Sequence, residues 1–187
     1  MKRIEVEKVI KEWKKKHNVR LYTPFIYFKG YTSKAVIIRR LNEMKRNKNK
    51  KDVSKIKFKT DKGMKTKKSN YHTLFEKRFG IPSKSGLEKK ASVTGVPVSI
   101  LRQVFRKGVA AWKTGHRPGT TAVQWGHARV DSFLTLGCAA YSADAYLLKK
   151  VKLMPENDKR KKFLSQRPSC PESKRKKYMS KKTGKKN

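Results

Sequence analysis

Acidic residues are too scarce in this chain to neutralise its cations, and the shortfall is unevenly placed. Lysine and arginine number 51 against 13 aspartates and glutamates, a net charge of +38. Residues 44–69 carry 12 Lys/Arg and two Asp, and residues 159–187 carry 13 Lys/Arg and one Glu. Residues 90–148, between them, carry only seven Lys/Arg and two Asp. Self-repulsion at such density opposes compaction, and so little apolar surface leaves the cost of ordering unopposed. The pattern predicts a modest core between basic arms that are extended or disordered until a polyanion neutralises them.

The core itself reads as mostly α, a small helical bundle with a central helix–loop–helix. Val6, Val9, Ile10 and Trp13 recur at helical spacing and predict a helix over 4–16. "VRLYTPFIYFKGY" is aromatic and β-branched but interrupted by Pro24, which predicts an extended arm or edge strand. Its aromatics Tyr22, Phe25, Tyr27, Phe28 and Tyr31 suit either packing into a groove or stacking on bases. Thr32 or Ser33 caps a helix to about Lys45, striped by Ile37, Ile38, Leu41 and Met44. Ser69 caps a short helix carrying Leu74, Phe75 and Phe79, closed by Gly80. Leu101, Val104, Phe105, Gly108 and Trp112 share one helical face, and Gly108 there predicts close helix–helix approach. Thr121 with Gln124 forms a capping-box pattern opening a helix to about Leu136. Ser142 caps a last short helix to about Lys150. The organisation expected is 1–31 helix and aromatic arm, 32–69 basic helix and Lys-rich linker, 70–152 helical core, and 153–187 Lys-rich tail.

Several classes are disfavoured. No apolar run approaches the roughly 18 residues needed to span a membrane. The basic segments also lack a lipid-inserting amphipathic partner or lipidation motif, so a membrane is the least supported partner. "MKRIEVEKVI" places acids inside the would-be apolar segment, unlike a secretory signal. Cys138 and Cys170 are far apart with no CxxC pair, which points away from a disulfide framework and toward a reducing compartment.

"AAWKTGHRPGTTAVQWGHARVDSF", residues 110–133, concentrates the chain's chemistry. His127 and Asp131 lie four apart on one helix, with His116 in the preceding loop. Two His and one Asp suit a metal or a nuclease base and clamp. But HExxH, paired carboxylates and suitably spaced Cys ligands are all missing, so no catalytic residue, metal or cofactor is expected. A structural corner explains more. Pro118 fixes φ, Gly119 supplies positive φ, and His116 and Arg117 reach the carbonyls left free at the first helix end. Trp112 and Trp125 pack across the turn. Arg129 and Asp131 tie the second helix to its neighbours.

The cations expected to bind a polyanion are Lys45, Arg46, Lys48, Lys50, Lys51, Lys65, Lys67 and Lys68 in the linker region. Arg117 and Arg129 at the corner join them for their bidentate geometry, and Lys174, Arg175, Lys176 and Lys177 in the tail complete the set. "KRKK" at 174–177 also has the form of a nuclear import signal. A helix-turn-helix DNA reader is not supported, because "TGHRPGT" is longer than the usual three- to four-residue turn.

Three stretches resemble an uncharacterised domain family of tailed phages and large algal double-stranded DNA viruses. They are "YFKGYTSKAVIIRRLNEMKRN", "KSNYHTLFEKRFGIP" and "ASVTGVPVSILRQVFRKGVAAWKTGHRPGTTAVQWGHARVDSFLTLG". The resemblance runs from about Phe25 to Lys150. Its strongest elements are Gly-x-x-Ala-Trp, Gly-His-Arg-Pro-Gly and Trp-x-x-Ala-Arg-Val-x-Ser-Phe. One departure is "AVIIRRL", more apolar than the family's lysine-rich helix, which implies an extra protein contact. The resemblance implies a virus particle or viral DNA as context and carries over no catalytic residue.

Together these readings lead to a non-enzymatic structural protein of a large DNA virus particle, a minor capsid or core component. Its location would be the virion, with the host nucleus or cytoplasm during assembly. Its partners would be capsid or other virion proteins, or DNA bound without sequence specificity. The alternative is a nucleic-acid-processing enzyme or accessory factor using His116, His127 and Asp131.

Overall fold

A computed structural model describes residues 1–53 and 55–183. Among them are ten α-helices and two 3-10 turns, with no strand. The all-α expectation therefore holds, and the helix–loop–helix at 98–134 is present. The chain forms two compact units, each discontinuous in sequence. One comprises residues 1–67 and 109–125, the other 68–108 and 126–187.

In the first unit, α1 (Arg3–His17) buries Val6, Val9, Ile10 and Trp13, the face its periodicity predicts. It joins one apolar cluster with Ile37, Leu41 and Met44 of α2 (Lys34–Lys48). The Ser33 hydroxyl accepts from the Val36 N–H at 3.3 Å, so the predicted cap is made. The Trp13 indole N–H donates to the Asn42 side chain at 3.1 Å, tying the helices together.

The aromatic run between them departs from expectation. It is not a strand; Phe25–Tyr27 form a 3-10 turn behind Pro24. Proline supplies the turn's entry geometry, and the run has no strand to pair with among the described residues. Tyr27, Phe28 and Tyr31 are buried, and only Tyr22 among the five aromatics is fully exposed, at 75%. A five-ring stacking platform is therefore not formed.

The Lys-rich linker also departs from expectation, being folded rather than extended. Ile56 and Phe58 are buried in the first unit's cluster. Glu43 accepts from the Lys59 N–H at 2.9 Å and from the Thr60 hydroxyl at 2.5 Å. Two apolar anchors and a buried carboxylate suffice to order a segment whose lysines all point to water.

The second unit contains α3 (Asn70–Phe79), α4 (Leu87–Thr94), and the parts of α5 (Val98–Trp112) and α6 (Ala122–Leu134) within its limits. It continues through α7 (Cys138–Tyr141), α8 (Ala145–Lys152), α9 (Asp158–Ser165) and α10 (Glu172–Thr183). Phe75, Leu101, Val104, Phe133, Leu134, Leu147, Val151 and Phe163 are among its fully buried apolar residues. α4 lies between Gly86 and Gly95 and has no counterpart in the predicted helices. Gly126 is where helices approach closely: a Cβ there would lie 2.5 Å from the Phe105 ring. The last helix of the predicted core starts at Ala145, not after Ser142. The chain first makes α7, and Asp144 turns its carboxylate to Arg129 and Lys107 instead of capping.

The tail is a further correction. It is helical, with Asn157 Oδ1 accepting from the Arg160 N–H to start α9, and Phe163 1% exposed. Its backbone then lies along residues 135–136, where the Ser169 and Cys170 N–H groups donate to the Thr135 and Leu136 carbonyls, each at 3.1 Å. That contact brings Cys170 to Cys138, and the two are disulfide-bonded. The expectation against a disulfide fails because α7, α8 and α9 fold the chain back on itself across a sequence separation of 32. Closing that loop contributes roughly 3–4 kcal/mol in the chain-entropy account. The predicted tail's last residues, 184–187, lie outside the described ones.

Candidate polyanion surface and its buried frame

The corner between α5 and α6 is built as its residues dictate. Thr121 and Gln124 close a reciprocal capping box: the Thr121 N–H donates to Gln124 Oε1 at 2.9 Å, and the Gln124 N–H to Thr121 Oγ1 at 3.2 Å. Gly119 has φ +78°, and a Cβ there would sit 2.2 Å from the Met64 carbonyl oxygen. The turn thus needs glycine for its backbone and for its approach to the linker. Pro118 is buried beside it.

His116 is the centre of the corner and is fully buried. It stacks on Trp112 at 4.5 Å and meets Trp125 edge-on at 6.3 Å, standing between the two indoles expected to pack across the turn. Its Nδ1–H donates to the Trp112 carbonyl at 2.9 Å, the predicted bond to a free helix-end acceptor. Its Nε2 is hydrogen-bonded to Asp61 at 2.6 Å. Arg40 completes the cluster, donating to Asp61 at 2.7 Å and to the His116 carbonyl at 3.1 Å, with its guanidinium 4.4 Å over the Phe58 ring. Burial pushes the neighbouring Tyr27 phenol up to about 12.

A second buried charge cluster lies in the other unit. Lys90, 0% exposed, pairs with Asp131 Oδ1, and the His72 Nδ1–H donates to Asp131 Oδ2 at 2.6 Å. Lys90 also lies 4.8 Å over the Phe75 ring. Burial holds the Lys90 pKa below its usual value, with Asp131 opposing. His127 packs edge-on against Phe105 at 5.2 Å, and burial lowers its pKa.

The three residues of the enzymatic alternative are therefore not one bonded set. His116 is bound to Asp61 in the first unit, whereas His127 and Asp131 belong to the second. Both Asp131 oxygens face Lys90 and His72. No group of three or more His, Cys, Asp or Glu suited to a metal occurs among the described residues. No described helix is long and apolar enough to cross a membrane.

The candidate cations divide into outward and inward groups. Lys45, Arg46, Lys48, Lys50, Lys51, Lys65, Lys67, Lys68, Arg117, Lys174, Lys176 and Lys177 are exposed. Arg175 is half-buried, with its guanidinium 5.7 Å from the Tyr141 ring. Arg129 faces inward, making a bidentate pair with Asp144 at 2.8 and 2.9 Å. Arg78 likewise donates to the Thr135 and Arg167 carbonyls and to Gln166. Arg40, Arg78 and Arg129 thus use their forks inside the fold, while the outward charge is mostly lysine.

Acids follow the opposite rule. Glu43, Asp61, Asp131 and Asp144 all have internal partners. Glu76 accepts from Lys68 at 2.5 Å and from the Ser83 N–H at 3.0 Å, which holds its carboxyl down to about 2. Because its folded value is depressed, this contact is fully present above the ordinary value of 4.5 and is lost as pH falls toward 2. An NMR titration of the Glu76 carboxyl should show a midpoint near 2; a midpoint near 4.5 would mean that the Lys68 contact is absent in solution.

No curated protein and no solved structure matches the chain. A family model does match, over residues 24–147, which contain the aromatic turn, α2, the folded linker and both buried charge clusters. On that match the chain belongs to the family of unknown function DUF5824.

Proposed function

We propose that this chain is a non-enzymatic structural protein of a large DNA virus particle, a minor capsid or core component, whose lysine surface binds a polyanion. One observation carries the binding part: buried acids are matched internally, while most of the +38 charge faces water as lysine. A surface whose charge is mostly lysine presents mainly point charges rather than base-reading forks, which suits packaged DNA or acidic capsid protein bound without sequence preference. The virus-particle context rests on the resemblance of the aromatic–Gly start and the Gly-His-Arg-Pro-Gly corner to phage and algal-virus proteins.

The test is affinity for a short random-sequence DNA duplex across a salt series, using the full chain. Each phosphate contacted adds about −0.9 to the slope of log Kobs against log salt. Substituting Lys45, Lys48, Lys50 and Lys51 by Gln should then flatten the slope by roughly 3–4 if all four contact phosphate. Weak binding at physiological salt despite the charge would remove DNA and leave acidic protein as the partner.

A further inference from the structure

Among its described side chains, the basic helix α10 has few ties to its unit besides the disulfide. None of its described residues is buried: Glu172, Ser173, Lys174, Lys176, Lys177 and Ser180 are exposed, and Arg175 and Tyr178 are half-buried. Its described anchor to α7 is Arg175 beside the Tyr141 ring. The segment before it is secured differently. Gln166 donates to the Leu134 carbonyl at 2.8 Å, and Ser169 and Cys170 donate to Thr135 and Leu136. The covalent tie at Cys170 falls at the boundary between this secured stretch and the lysine-rich helix, one residue before Pro171.

A twelve-residue helix with four consecutive cations is marginal in water when nothing packs on it. Its order therefore depends on being held against α7, and the bond that holds it begins on α7 itself, at Cys138. Cys138 is half-buried whereas Cys170 is 2% exposed, so an attacking thiolate reaches Cys138 first.

We propose that the Cys138–Cys170 disulfide is a redox latch that sets whether the basic tail is a docked helix or a free cationic arm. A dithiol reductant opens it. One thiolate of the reductant attacks Cys138 Sγ, the Sγ–Sγ bond breaks and Cys170 leaves as thiolate. The reductant's second thiolate then displaces Cys138 from the mixed disulfide. The reductant ends as its own disulfide, and both cysteines end as thiols, having gained two electrons and two protons. With the latch open, Phe163 and the Gln166 bonds still hold α9, while α10 loses its tether and melts. In a reducing compartment the chain then presents the free arm that its composition predicts; in an oxidising one, the docked helix.

The consequence for polyanion binding rests on the function proposed above, but the latch does not, and the two are tested separately. Amide hydrogen exchange is read by mass spectrometry on peptides from 158–165 and 172–180, using the full chain with and without a dithiol. Reduction should raise exchange in 172–180 at least tenfold and leave 158–165 within twofold. The Cys138→Ser/Cys170→Ser variant should match the reduced profile and ignore the reductant. Equal exchange of 172–180 in both states overturns the latch. So does an equal rise across both peptides, which marks unit-wide unfolding, or two free thiols in the protein kept under air. If 172–180 responds and DNA affinity does not, the latch stands and the tail's share in polyanion binding is overturned.

Discussion

Asp131→Ala should destabilise the second unit by about 3–5 kcal/mol, the range for removing one partner of a buried ion pair. The substitution leaves the Lys90 ammonium at 0% exposure with no counter-charge, facing only the Phe75 ring. It also takes the acceptor from His72 Nδ1. An uncompensated charge in an apolar surround costs more than the pair contributed, because desolvation is no longer offset. For a chain of this size, a loss in that range lowers Tm by roughly 10 °C. Replacing both partners, as Lys90→Met/Asp131→Leu, should recover most of the loss, since the desolvation penalty disappears along with the attraction. Urea unfolding followed by circular dichroism measures all three proteins. A single variant within 1 kcal/mol of the parent would mean that Lys90 reaches water and the pair is not buried. A double variant as weak as the single one would mean that the pair has a packing role that apolar groups cannot fill.

This cluster also shows where the sequence was legible and where it was not. Apolar periodicity carried the helices: α1, α2, α3, α5 and α6 fall where Trp13, Leu41, Phe75, Val104 and Val130 recur with their neighbours. Local capping signals were equally readable, because Ser33, Ser69 and the Thr121–Gln124 pair act within a few residues of themselves. What escaped was tertiary pairing of charge. Asp131 invites pairing with His127, four residues away, yet it bonds His72 and Lys90, 59 and 41 residues away. Arg40 and Asp61 were hidden for the same reason: 21 residues separate them, and Asp61 lies among exposed lysines. Scarcity of acids was only a partial signal: of the 13, Glu43, Asp61, Asp131 and Asp144 hold partners inside the fold, whereas Glu5, Glu7 and Glu12 lie beside the buried Val6 and Trp13 and stay exposed. In the tail, average charge outweighed two apolar residues in "KKFLSQ", of which Phe163 alone is enough to anchor α9.

The strongest effect expected in the first unit is that of Arg40→Met, which should release the lysine linker at a cost of about 3–4 kcal/mol. Arg40 is 0% exposed and its guanidinium bonds three groups from two distant segments: Asp61, the Thr60 hydroxyl and the His116 carbonyl. Methionine keeps the apolar stem's volume against Phe58 but supplies no donor, so Asp61 retains only His116 and the carbonyl of His116 loses its partner. The linker has few other ties, chiefly Ile56, Phe58 and the bonds to Glu43, so it opens before the helices do. Limited trypsin digestion reports this directly, because Lys55, Lys57, Lys59 and Lys62 flank those ties. Cleavage there should accelerate at least tenfold while cleavage within α1 stays near the parent rate. Arg40→Lys should behave much like Arg40→Met, since one ammonium cannot reproduce a planar fork shared between a carboxylate, a hydroxyl and a carbonyl. Full protection in the lysine variant would show that only the positive charge matters. The linker would then be held by non-directional electrostatics, and the lysines proposed to bind a polyanion would be free to pull it away from the helices.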